Sequence, residues 1–262
     1  HATVRIECEL KAGGTSTGTG FYFNFLCTET ISVPCIVTNK HVVKDAQKGR
    51  IVITLAHEDK PLLNEHYHVA IENMEAMWIG HPSVDVDLAI MPVSLIYHHL
   101  RALGKEPYIR GFSPRDVWTD DKLADLLPIE DVAMIGYPNG VWDSVNNLPV
   151  IRTGITATPC YMNYEGKRRF LIDIASFQGS SGSPVCLFNR GTWLKKGGNT
   201  QMGGYRICLL GIMFAAIVRK QTGELMQITI PASTKTTIIP VMDTLINLGV
   251  CIKASRLMDF EP

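Results

Sequence analysis

The strongest constraint on this chain is a succession of short apolar or alternating segments, each closed off by glycine, proline, serine or asparagine. From Thr3 to Leu10, Val4, Ile6, Cys8 and Leu10 alternate with polar residues, and Gly20-Phe21-Tyr22-Phe23-Asn24-Phe25 follows a Gly/Thr/Ser turn. Ile31 to Thr38, Ile51 to Leu55, His66 to Ile71 and Asp85 to Val93 continue the pattern. Period-two runs of this length, bounded by turn residues, are strands, and their regular spacing predicts a sandwich or barrel. A second set begins at Val132-Ala133-Met134-Ile135-Gly136 and runs through Leu148 to Ala157, Arg169 to Ile174, Val185 to Phe188, Ile207 to Val218 and Leu225 to Ile230. The expected fold is all-β, in two halves spanning residues 1–97 and 132–262.

Between the halves, residues 98–131 form a charged, proline-punctuated linker or insertion. A short helix is predicted after Thr119, with Asp120 and Asp121 at its start and Leu123, Leu126 and Leu127 on its buried face. Lys195 to Gly204 has the composition of a flexible loop. Pro240, apolar Val241, Met242, Leu245, Ile246 and Leu248, and Gly249 as a stop predict a C-terminal amphipathic helix.

At 262 residues the chain buries a sizeable core as one large unit or two lobes around a cleft. Basic and acidic residues balance at 25 each, so no global field draws it to nucleic acid or an anionic membrane. The longest apolar run, Ile207 to Val218, is shorter than the roughly 20 residues of a membrane-crossing helix. The seven cysteines (Cys8, Cys27, Cys35, Cys160, Cys186, Cys208 and Cys251) are odd in number and lie within or beside apolar runs. They read as buried free thiols, and with no visible leader they suggest a reducing, cytoplasmic setting. No Cys/His ligand spacing calls for a metal. His66 with His68, and His98 with His99, lack a convergent third ligand.

The chemistry is carried by Phe177-Gln178-Gly179-Ser180-Ser181-Gly182-Ser183-Pro184-Val185, which sets hydroxyls and small residues between two apolar runs. Glycines on both sides of Ser181 permit a tight turn that aims a hydroxyl at a ligand, although Gly/Ser clusters also make plain surface turns. Upstream, His41 stands where a buried strand ends, and Asp85 and Asp87 stand at the entrance of another. A serine hydroxyl needs a neutral imidazole to take its proton, a carboxylate to orient that imidazole, and backbone amides to hold the oxyanion. His41, Asp87 and Ser181, with the amides of Gly179 and Ser181, supply one such set if a cleft joins the halves. Asp85 shares a strand face with Asp87, and Ser180 and Ser183 flank Ser181.

Taken in order, Gly18-Thr19-Gly20-Phe21, Thr38-Asn39-Lys40-His41-Val42-Val43, Asp87-Leu88-Ala89-Ile90, Ile135-Gly136-Tyr137-Pro138-Asn139-Gly140, Gly179-Ser180-Ser181-Gly182-Ser183-Pro184, Gly211-Ile212-Met213-Phe214 and Ile228-Thr229-Ile230-Pro231-Ala232 resemble the chymotrypsin-fold serine proteases. Their style is closest to the HtrA-like, disulfide-free branch, without its PDZ module, and the likeness covers nearly the whole chain. The resemblance implies two six-stranded β-barrels with the active site in the cleft between them and a C-terminal helix. It favours Asp87 over Asp85 and Ser181 over its neighbours, and Ser183 departs from the commoner glycine. It implies a primary pocket lined by Ala175, Ser176, Phe177 and Gln178, with Phe214, Ala215 and Ala216 pairing the substrate as an added strand. With no acid at the pocket base, an uncharged apolar P1 side chain is expected. The implied activity is a serine endopeptidase acting on peptide or protein substrates without a cofactor. A catalytically silent peptide-binding module and an esterase on the same site are the other readings.

Overall fold

The computed structural model describes residues 1–26, 31–222 and 241–261. Strand Leu225 to Ile230 and the Ile228 to Ala232 motif lie outside the described residues. In the first half, β1 (Thr3–Leu10), β2 (Thr15–Leu26), β3 (Ser32–Thr38), β4 (Ala46–His57), β5 (Lys60–Glu72), β6 (Ile79–Gly80), β7 (Ala89–Pro92) and β8 (Glu106–Pro107) form one antiparallel sheet. Its order is β5-β4-β1-β2-β3-β7-β6, with β8 paired to β4. Six of these are full strands; β6 and β8 have two residues each. The sequence alternation becomes burial directly: Val4, Ile6 and Cys8 of β1 are almost fully buried, whereas Arg5, Glu7 and Glu9 point away.

The second half is a closed barrel of six strands, β9 (Asp131–Gly136), β10 (Val150–Thr156), β11 (Arg169–Asp173), β12 (Pro184–Leu194), β13 (Thr200–Thr222) and β14 (Val241–Lys253), in the order β10-β11-β14-β13-β12-β9. Closure leaves the barrel without free edges along its paired length. Each half has its own apolar cluster. A third cluster joins them: Phe21, Phe23, Val37 and Leu88 pack with Leu209, Ile212, Ile252 and Leu257. Burying a side chain of the size of Phe21 or Phe23, both at 0% exposure, contributes roughly 1.5–3 kcal/mol. The floor between the halves is therefore apolar and closely packed.

Two expectations are corrected. The segment from Val241 to Leu248 is not a helix. It belongs to β14, which pairs with both β13 and β11, for example Val218 with Leu245 and Asp173 with Leu248. The helical end of the chain lies later, as a 3-10 helix over Ala254–Phe260 whose Ala254 and Leu257 plug the joint between the halves. The loop from Lys195 to Gly204 is instead the tip and first rungs of a long hairpin: Leu194 pairs with Thr200 and Thr192 with Met202. Only the stretch between those strands turns, closed by Lys195 N–H donating to Asn199 O at 2.7 Å.

Within the stretch from 94 to 130, α2 (Ser94–Ala102) was not foreseen. Among the described residues it is the second of three α-helices, after α1 (Lys40–Val43), and it buries Tyr97 and Leu100 while Leu95 stays exposed. The predicted helix after Thr119 is α3 (Asp120–Ala124), with Leu123 and Leu126 buried and Leu127 half-buried. Because β8 pairs with β4, part of this segment belongs to the first sheet.

Candidate active site

The junction of β3 and β7 places the histidine and the acid together. Thr38 at the end of β3 lies opposite Ala89 at the start of β7. The chain beyond Thr38 turns into α1 carrying His41, while Asp87 sits two residues before Ala89. Asp87 Oδ2 lies 2.5 Å from His41 Nδ1, and Oδ1 accepts the His41 backbone N–H at 3.1 Å. Asn39 Nδ2 donates to the Asp87 backbone carbonyl at 2.7 Å, fixing the segment from behind. Burial pushes the Asp87 carboxyl upward. The His41 ring and the backbone N–H groups of His41 and Lys40 outweigh that push and hold the group below the usual carboxylate range. An ionised Asp87 accepts only, so Nδ1 carries the imidazole proton and Nε2 is left with a lone pair. Asp85, the competing acid, makes no contact with His41 among the described residues.

The loop after β11 consists of two linked turns. Ser180 N–H donates to Phe177 O at 3.0 Å, and Ser183 N–H donates to Ser180 O at 3.0 Å. In each four-residue turn the third residue is glycine at positive φ, Gly179 and Gly182, both at 84°. Gln178 and Ser181, in the second positions, are not at positive φ, so both turns are type II.

The two turns dispose the amides unequally. Ser180 and Ser183 donate within the loop, and Gly182 N–H donates to Met213 O at 2.8 Å. The Gly179 and Ser181 N–H groups donate to no acceptor among the described residues. Across a trans peptide the N–H points opposite the preceding carbonyl. Gln178 O faces Asn139 N–H at 2.6 Å and Ser180 O faces Ser183 N–H, so the Gly179 and Ser181 amides are turned away from those anchors.

The first sheet holds this loop through its backbone. Thr19 N–H donates to Ser181 O at 2.9 Å, Thr19 Oγ1 to Gly179 O at 2.9 Å, and Thr38 Oγ1 to Thr19 O at 2.7 Å. Ser181 and His41 are thus linked through Thr19 and Thr38, with no hydrogen bond between Ser181 Oγ and the imidazole among the described residues. A side chain at Gly182 is sterically excluded: a Cβ there lies 1.9 Å from Thr19 O and 2.5 Å from Thr38 Oγ1. Gly182→Ala is expected to lower unfolding free energy by about 3 kcal/mol, combining that clash with left-handed backbone strain. Urea unfolding measures this, and a loss below about 1 kcal/mol would show that the joint yields.

Ser183, unexplained by sequence, is 0% exposed and packs against Gly136 of β9, where a Cβ would come within 2.1 Å of its hydroxyl. It fills space under the loop. The proposed pocket residues are split in exposure: Ser176 is buried, with Oγ donating to Ile174 O at 2.9 Å, Ala175 is half-buried, and Phe177 and Gln178 are exposed. Past Pro184, which pairs with Ile212, β12 no longer flanks β13, so Phe214, Ala215 and Ala216 keep an edge unoccupied by any described strand. Cys186 is held by burial at about 12 and Cys160 at about 11, which keeps both thiols protonated at neutral pH. Among the described residues no cluster of three or more potential ligands could hold a metal ion.

Sequence reasoning missed Thr19 and Arg152. Thr19 lay within a quoted motif but with no signal of its role. Arg152 had no motif at all.

A comparison with curated proteins returns no match. Among solved structures, a thermostable serine protease AL20 from an extremophilic microorganism aligns over 98% of this chain and 93% of its own, at 11% identity and a TM-score of 0.48. The family model described as a trypsin-like peptidase domain matches residues 18–194, about two thirds of the sequence and including the positions of His41, Asp87 and Ser181. With that match over most of the first half and the second as far as β12, the chain belongs to the trypsin-like peptidases, on a chymotrypsin-like fold.

Proposed function

We propose that this peptidase is a serine endopeptidase working through an acyl-enzyme. Ser181 Oγ attacks the scissile carbonyl while His41 Nε2 takes its proton. The carbonyl oxygen becomes an oxyanion held by the Gly179 and Ser181 amides. Collapse expels the amine, which receives the proton from His41, and water then repeats the sequence to release the acid. Asp87 keeps the proton on Nδ1 and stabilises the imidazolium. The observation that carries this reading is that the Gly179 and Ser181 amides are unengaged while the N–H groups of Ser180, Gly182 and Ser183 around them are tied, beside a hydrogen-bonded His41 and Asp87. A hydrogen bond between Ser181 and His41 is expected to form as substrate binds, since catalytic contacts of this kind tighten in the Michaelis complex.

The substrate would lie along the open edge of Phe214, Ala215 and Ala216 as an added strand, with its P1 side chain between that edge and Ala175, Ser176, Phe177 and Gln178. An uncharged apolar P1 suits this wall. No carboxylate hydrogen-bonds there among the described residues, and the nearby cation of Arg152 disfavours Lys or Arg.

A serine-reactive phosphonate probe tests the chemistry. Wild-type protein should label in a single position, and Ser181→Ala should not label. Folded wild-type protein that neither labels nor cleaves any peptide would leave a silent binding module. On a P1-varied peptide set, apolar residues should give the highest kcat/KM; a preference for Lys or Arg would overturn the pocket assignment.

A further inference from the structure

Arg152 lies on β10, outside every motif that points to catalysis, and is half-buried. Its guanidinium reaches the carbonyl of Ala175 and, at 2.8 Å, the hydroxyl of Ser180. The Phe177 ring lies 6.0 Å from the guanidinium carbon, within the range of a cation–π contact. No carboxylate pairs with Arg152 among the described residues, and its buried Nε has no hydrogen-bond partner. Loss of solvent pushes its pKa down. Here the cation spends its donors on the loop before the nucleophile.

Those contacts fall at mechanically distinct points. Ala175 precedes the first turn, and Ser180 is the residue the two turns share. Ser180 Oγ also accepts the Phe177 N–H at 3.2 Å, so the hydroxyl sits at the centre of a cross-tie over Gln178 and Gly179. With Thr19 Oγ1 holding Gly179 O from the other sheet, the first turn is gripped on both sides. A planar fork can span two acceptors at once, which the single ammonium of lysine does less well.

We infer that Arg152 is a positioning residue for the oxyanion-binding amides, acting through the Ala175 carbonyl and the Ser180 hydroxyl to hold the Phe177 to Ser180 turn. The inference rests on the proposed role of Gly179 and Ser181. If the first turn relaxes, the Gly179 amide rotates away from the developing negative charge. For a substrate with alanine at P1, which reaches little of the Ala175 to Gln178 wall, ground-state binding rests on pairing along Phe214 to Ala216 and does not depend on that amide. The effect therefore falls on kcat and leaves KM nearly untouched.

The test is steady-state kinetics on an amide substrate with alanine at P1 for Arg152→Met, Arg152→Lys, Ser180→Ala and the double variant Arg152→Met/Ser180→Ala, with Ser181→Ala as the reference and thermal unfolding as the folding control. Arg152→Met should lower kcat by about 10- to 100-fold, a fraction of what loss of one oxyanion donor brings, with KM within about threefold. Arg152→Lys should recover part of the loss, and the double variant should be little worse than the worse single one, because both act on one cross-tie. Should Arg152→Met fail to fold, Arg152→Lys and Ser180→Ala carry the same split of kcat against KM. The inference is overturned if a folded Arg152→Met, or in its absence Arg152→Lys together with Ser180→Ala, keeps kcat within twofold, if KM alone rises, or if the two losses multiply. Wild-type turnover by Ser181→Ala would remove the serine mechanism and this role with it. An inactive Ser181→Ala beside a fully active Arg152→Met would remove this role alone.

Discussion

Ser181→Ala and His41→Ala should each lower kcat by about 10⁶, and the double variant should fall no further. The reason is that the two side chains perform one act. A serine hydroxyl without a base is a poor nucleophile, and an imidazole without the serine has nothing to activate. What survives either change is the Gly179 and Ser181 amides together with the binding edge, which still accelerate attack by water. Single-turnover and steady-state assays on an activated ester and an amide would read both values. Losses that multiply would mean that Ser181 and His41 do not work as a unit, and that the nucleophile must be sought elsewhere.

Asp87→Asn should cost about 10⁴ in kcat at neutral pH while leaving the fold intact. An asparagine amide can donate to Nδ1, which turns that nitrogen into an acceptor and puts the proton on Nε2, where it blocks proton transfer from Ser181. The same carboxylate makes a pH-dependent contribution to stability. Its folded pKa is depressed, so the stabilisation is complete above the unfolded carboxyl value of about 4 and is lost as pH falls through the lower folded value. The stability gap between wild type and Asp87→Asn in urea should therefore narrow below about pH 4. A gap constant from pH 7 to pH 2 would contradict the hydrogen-bonded geometry at His41.

The proposed reacting groups could be picked out of the sequence because each lies in a short contiguous signal: a histidine at a strand end, an acid at a strand entrance, and glycines bracketing a serine. The alternation in β1 carried through to burial without exception at Val4, Ile6 and Cys8. It failed where local pattern and long-range pairing disagree. Val241, Met242, Leu245, Ile246 and Leu248 satisfy a helical period, yet pairing with both β11 and β13 claims the segment as a strand, and tertiary context overrides so short a pattern. The helix α2 was missed because Tyr97 and Leu100 are buried and Ile96 packs on the core beside them, while Leu95, exposed at 82%, blurs the stripe. Arg152 and Ser180 are 28 residues apart and Thr19 and Gly179 are 160 apart. No spacing rule reaches across such separations, so the supports of the site emerge only from the fold.

The bond from Thr19 to the Ser181 carbonyl has a consequence for the order of events during synthesis. A chain is made from its N-terminus, and its early portion can fold while the remainder is still emerging. The half that supplies Thr19 and Thr38 is therefore made before the half that supplies Ser181, and the loop of Ser181 is tethered only after both have emerged. Under the proposed mechanism a growing chain carries a base and its orienting acid before it carries a nucleophile, so hydrolytic competence arrives last in synthesis.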